Sequence, residues 1–138
     1  MMRWVLLVSL AGLALSACGS AAVASHELPS DHGWVLSCSK QRLSEPSFLV
    51  LNCKNSSPLL ADATWTSWGV HRATGTARLG VAPCHPVCKV AAMDFYPHAR
   101  VTFLDPRVVD GRPGIFTRVL VTYTFEGKRY SVAQPLLP

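Results

Sequence analysis

The 138-residue chain has little charge and no helical signature. Asp, Glu, Lys and Arg make up 15% of it, and no charge at all occurs from Trp4 to Ser25. No segment repeats apolar residues at spacings of three and four over a helical length, which argues against a helical bundle or a doubly wound α/β fold. There is no Gly-x-Ser-x-Gly elbow, and no serine or cysteine stands in the surroundings of an activated nucleophile, so hydrolytic chemistry has no visible centre. Asp94, Asp105 and Asp110 are the acids from which a carboxylate pair would be drawn, but acids in loops beside proline and glycine read as turn formers. The expectation is a protein that is not an enzyme and has no cofactor. Lysine is scarce, four residues against nine arginines, and acids number eight. The basic residues are scattered along the chain, which argues against nucleic acid as a partner. A net charge of +5 instead favours long-range attraction to anionic lipid headgroups or acidic wall polymers.

The uncharged N-terminal stretch follows Arg3 and the α-amino group. Its strongly apolar part ends at Leu15 and gives way to small residues. A positive start, an apolar run and small residues before a cut describe an export signal. Leu15-Ser16-Ala17-Cys18 resembles the lipobox of bacterial lipoproteins. The resemblance implies that the Cys18 thiol carries acyl chains such as palmitate, that residues 1–17 are removed, and that the mature chain sits lipid-anchored on the outer face of the cytoplasmic membrane, in the cell envelope. Two or more acyl chains give stable anchoring, where one gives only marginal binding. An uncleaved span fits less well, because Ser16 to Ala22 is small and weakly apolar. Residues 18–33, rich in Ala and Ser, read as a flexible lipidated tether. Residues 34–138 are enough for a single domain.

Apart from Cys18 there are four cysteines, Cys38, Cys53, Cys84 and Cys88. In an oxidising compartment an even number points to disulfides, and four cysteines allow three connectivities. Two cysteines four apart can bond if the chain turns sharply, and Pro86 between Cys84 and Cys88 promotes such a turn. Cys84–Cys88 then leaves Cys38–Cys53, which would staple a hairpin made of Trp34–Cys38 and Ser47–Cys53 across a polar loop. Further strand-forming runs are 63–69, 73–81, 99–104 and 115–125. Glu126-Gly127 is a hairpin turn leading into a last strand from Lys128. Asp105 to Gly114, with two prolines and two glycines, reads as a loop. A spacing of three sends Trp65 and Trp68 to opposite faces of an extended strand, one inward and one outward. The expected fold is all-β, about seven mainly antiparallel strands in a sandwich or small barrel, stapled by disulfides.

Trp65-x-x-Trp68-Gly69, Ala73-Thr74-Gly75, Cys84-x-Pro86-x-Cys88, Tyr96-Pro97 and Phe116-Thr117-Arg118 together resemble a group of small secreted proteins and lipoproteins of actinobacteria, over about residues 65–125. The resemblance implies an envelope setting and a local cysteine pair, and carries no activity with it.

Three function classes remain. The first is a non-enzymatic binding or accessory module for another envelope component, an envelope protein or an anionic lipid or polymer. Its expected contact surface is the Cys84–Cys88 turn with His85, Pro86 and the outward-facing member of the Trp65/Trp68 pair, because a rigid loop loses little entropy on binding and tryptophan is a typical anchor. The second is a carrier of a lipid or other hydrophobic ligand, which a large apolar cavity would favour. The third is metal binding by Cys84, His85 and Cys88, with His71 and His98 available to complete four ligands. Against it stands the oxidising compartment, which favours the disulfide, so no metal site is expected.

Overall fold

A computed structural model describes residues 32–84 and 87–136. The lipobox with Cys18, the tether up to residue 31, and His85 and Pro86 lie outside the described residues.

The alternating runs become strands. β1 (Val35–Leu36) pairs with β2 (Arg42–Leu43) as a separate antiparallel ribbon. Six more strands form one antiparallel meander in sequence order: β3 (Leu49–Val50), β4 (Leu59–Trp68), β5 (Ala73–Val81), β6 (Asp94–Val109), β7 (Arg112–Phe125) and β8 (Lys128–Pro135). A single turn of 3-10 helix, Val90–Ala92, precedes β6. The class is therefore all-β and antiparallel, with the sheet curled into a half-barrel. Where the curl brings its first and last segments together, the Gln134 side-chain amide donates to the Leu51 carbonyl at 3.3 Å.

Period-two alternation explains the faces. Along β5, Ala73, Gly75, Ala77 and Leu79 are buried and the intervening Thr76 and Arg78 are exposed. Ala99, Val101 and Phe103 of β6 and Val119 and Val121 of β7 continue the buried inner face, all at 2% exposure or less. The outer face is rich in hydroxyls: Thr64 and Thr76 meet across β4 and β5 at 3.1 Å, and Thr122 and Ser131 across β7 and β8 at 3.2 Å.

Two sequence expectations are corrected. Trp34–Cys38 does not pair with Ser47–Cys53. β1 instead turns back on the polar segment itself, where Lys40 takes a left-handed φ of 62°, and β3 pairs with β4 through Leu49–Leu60 and Val50–Leu59. The hairpin is tighter because the short β1–β2 connection closes locally, at less entropic cost than the longer loop. The segment Asp105–Gly114 is not a loop either. β6 runs on to Val109, turns at Asp110-Gly111 with both φ positive (50° and 73°), and returns as β7. Asp-Gly is a two-residue hairpin turn. Pro106 is tolerated in β6 because the strand projects beyond β5, whose last partner pair is Ala73–Phe103, and so has a free edge there.

The two disulfides are Cys38–Cys53 and Cys84–Cys88, the pairing the spacing favours. The first ties the β1–β2 ribbon to the segment after β3. The second lies in the β5–β6 connection, where Lys89 N–H donates to the Pro83 carbonyl at 2.9 Å.

Candidate functional site

The inner face carries two aromatic groups, one at each end of the half-barrel. At one end Trp65, Trp68, Phe103 and Phe116 pack together, with ring centroids 4.7 Å apart for the two indoles and 5.0 Å for Trp65–Phe103. Both tryptophans point inward, contrary to the alternation expected from their spacing. The reason is a β-bulge. Trp65 pairs with Gly75 and Ser67 with Thr74, so Thr66 is an extra residue, and one extra residue shifts the facing of everything after it. The hydroxyls hold the bulge: Thr66 Oγ1 donates to the Thr74 carbonyl at 3.0 Å, and Ser67 and Thr74 hydroxyls meet at 2.7 Å. Small residues on the inner face make room for the indoles. A Cβ on Gly75 would collide with the Thr64 carbonyl and with the Trp65 ring.

This end is covered by the N-terminal segment. Trp68 Nε1–H donates to the Gly33 carbonyl at 2.7 Å and Trp65 Nε1–H to the Pro46 carbonyl at 3.0 Å. Trp34 adds to the free edge of β7, donating to Gly114 and accepting from Phe116, each at 2.8 Å. The indole N–H groups therefore serve as fasteners for the covering backbone, and the tryptophans are half-buried parts of the core.

The other end has no such cover among the described residues. Tyr96, Tyr123, Phe125 and Tyr130 line up there, with centroids 4.8 Å apart for Tyr96–Tyr123 and 5.5 Å for Tyr123–Tyr130. Phe125 is 43% exposed, Tyr130 40% and Val132 38%. Burial, followed by the Asp94 carboxylate and the Tyr123 and Tyr130 hydroxyls, raises the Tyr96 hydroxyl above the ordinary tyrosine range. Beside this group an apolar cleft of about 210 Å³ opens between β8 and the Leu51–Pro58 segment, floored by Leu79, Val121 and Tyr123 and flanked by Val132 and Gln134.

The surface expected from the sequence is thus split. Trp65 and Trp68 sit at the covered end, paired with Gly75 and Ala73, whereas Cys84 and Cys88 follow the far end of β5. Six residue steps of strand lead from Gly75, the Trp65 partner, to Val81, about 20 Å at the usual rise. The Cys84–Cys88 turn instead lies at the open end, in the connection that leads to Asp94 and Tyr96. The sulfurs of Cys84 and Cys88 are consumed in the disulfide, and no group of three or more His, Cys, Asp or Glu side chains converges among the described residues. His71 stands in the β4–β5 turn, and His98 in β6, where Pro97 and His98 face Arg78 at a second register shift. Sequence reasoning missed the open aromatic group and its cleft. The signal was present in Tyr123 and Phe125, which extend the apolar face of β7 to the last residue before the turn.

Comparison with family models, curated proteins and solved structures found no match for the chain.

Proposed function

We propose that the chain is an envelope lipoprotein, anchored through Cys18, whose β domain is a non-enzymatic binding module for an extended, apolar segment of another envelope protein. The segment lies along β8 and inserts side chains into the adjoining cleft. The observation that carries this reading is the unclosed seam of the half-barrel. β8 is the last strand of the sheet, and its residues are exposed from Lys128 to Ala133. A free strand edge offers unpaired N–H and C=O groups, and an incoming strand that satisfies them gains specificity from pockets for its alternate side chains. The cleft beside Val132 and Tyr123 is such a pocket. Its volume of about 210 Å³ suits one or two side chains, whereas small-molecule sites run to roughly 300–1,000 Å³. That places the hydrophobic-carrier reading second, favoured by the apolar lining alone.

The test is photo-crosslinking of the full chain in its native envelope, with the reactive residue at Val132 in the cleft or at Thr74 on the outer face. The expected result is a peptide adduct from Val132 that maps to an extended apolar segment of one protein, with none from Thr74. A lipid adduct at Val132 would replace this reading by the carrier; equal labelling from both positions would remove the cleft as a site.

A further inference from the structure

On the outer face of the sheet, away from the cleft, the ladder places cations and hydroxyls side by side. Arg100 pairs with Thr122, and Thr122 with Ser131, in one row across β6, β7 and β8. The next row holds Thr124 opposite Arg129, with His98 completing it on β6 at a left-handed φ of 57°. These six residues line a cleft of about 360 Å³ together with Tyr123. Strands two apart are about 10 Å apart, a gap that arginine side chains span from either side, so Arg100 and Arg129 can close on one ligand above the hydroxyls.

What distinguishes this cluster is that two unused guanidinium charges share one cleft. Four other cations are ion-paired, Lys40 and Arg112 with Asp110, Arg78 with Asp62, and Arg118 with Asp105, whereas Lys54, Arg72, Lys89, Arg107 and Lys128 are unpaired and stand outside this cleft. Among the described residues, the side chains of Arg100 and Arg129 take part in no ion pair, hydrogen bond or ring contact. No carboxylate lines the cleft; Asp62, in the adjoining groove that shares His98, is held by Arg78 at 2.9 Å, and Glu126 stands in the β7–β8 turn outside the lining. Two unpaired guanidinium groups, a histidine and three hydroxyls without an acid match a tetrahedral oxyanion, because guanidinium is a bidentate donor and the hydroxyls satisfy the remaining oxygens.

From this we infer that His98, Arg100, Thr122, Thr124, Arg129 and Ser131 form a site for a phosphoryl group. A free phosphate or phosphomonoester and the headgroup of an anionic phospholipid share that chemistry. The site stands on the face opposite the apolar cleft and does not depend on the peptide-binding reading.

The experiment is amide NMR of the full chain in neutral detergent at constant chloride, titrated with inorganic phosphate and, separately, with dihexanoyl phosphatidylglycerol; dihexanoyl phosphatidylcholine serves as the zwitterionic control. Saturable shifts confined to the amides around Arg100, Thr122, Arg129 and Ser131 are expected. Saturation by both anions identifies the phosphoryl group itself as the ligand, and saturation by the phosphatidylglycerol alone identifies the anionic headgroup. Arg100→Gln and Arg129→Gln should each weaken binding about tenfold or more, as expected for lost charge-assisted hydrogen bonds. Arg118→Gln, on the same face but paired with Asp105, should leave it unchanged. The inference is overturned if neither anion shifts these amides, if phosphatidylcholine shifts them equally, or if Arg118→Gln weakens binding as much as Arg100→Gln.

Discussion

The two ends of the half-barrel are built from the same kind of residue and treated in opposite ways. Each concentrates four aromatic rings on the inner face. At the covered end, Trp65 and Trp68 carry N–H groups that reach the Pro46 and Gly33 carbonyls, so the rings both fill the core and hold down the chain above them. At the open end the polar atoms are tyrosine hydroxyls on half-buried or exposed side chains, and the rings pack on each other with no backbone hydrogen-bonded over them among the described residues. Aromatic clustering therefore does not distinguish core from surface in this protein. For Trp65 and Trp68 the fate of the polar atom does, since burying an indole N–H without a partner costs free energy; the Trp34 Nε1 in the cover itself is buried with no partner among the described residues.

The strongest way to break this comparison is to truncate one ring at each end. Phe103→Ala, at 0% exposure, should lower the unfolding free energy by about 3–5 kcal/mol. Tyr130→Ala, at 40% exposure, should cost about 1 kcal/mol or less. Urea denaturation measures both, and equal losses would mean that the open end is core after all.

The disulfides sharpen the same contrast. Cys38–Cys53 spans 15 residues and belongs to the cover, while Cys84–Cys88 spans 4 and belongs to the open end. In the chain-entropy account the first contributes about 3 kcal/mol and the second less. Thermal unfolding of Cys38→Ser/Cys53→Ser should accordingly show the larger drop, and the reverse order would overturn the assignment of the ribbon as a structural cover.

Gly75→Ala tests the seat of Trp65. Its methyl group meets backbone as well as ring, so a loss of about 1–3 kcal/mol is expected, together with a change in tryptophan fluorescence. Normal stability with unchanged fluorescence would show that the indole does not lie against β5.

The smallest effect concerns alkaline pH. Tyr96 has its hydroxyl raised above 10.0 in the folded state, first by burial. For a group raised on folding, the stabilising contribution is complete below the unfolded value and is lost as pH rises through the folded one. Melting temperature should thus fall as pH rises through the tyrosine range, and Tyr96→Phe should make that fall shallower. A fall as steep in Tyr96→Phe as in the parent would assign the pH dependence to other groups.

Much of the fold is legible in the residues. β7 is written in the alternation from Val119 to Phe125, its turn in Glu126-Gly127, and the cysteine pairing in the tight Cys84–Cys88 spacing with a proline inside. The Asp110-Gly111 hairpin carried an equally clear turn signal, but two prolines nearby argued for a loop. They are accommodated because β6 outruns β5 at Pro106 and β7 outruns β8 at Pro113, which depends on the lengths of neighbouring strands and is not a local property.

What the sequence determined by itself is whatever rests on neighbouring residues: strand periodicity, turn chemistry, the short-range disulfide and the all-β class. The tertiary structure decided which way the tryptophans face and which aromatic end is covered. The facing turns on one extra residue, Thr66, stabilised by hydroxyl bonds to Thr74 on another strand. The covering turns on where the N-terminal segment finds carbonyls within reach of two indoles. Both are settled by groups on different segments, the bulge across one hairpin and the cover over 19 and 35 residues of chain, and strand alternation, which counts residues in one strand at a time, carries no record of either.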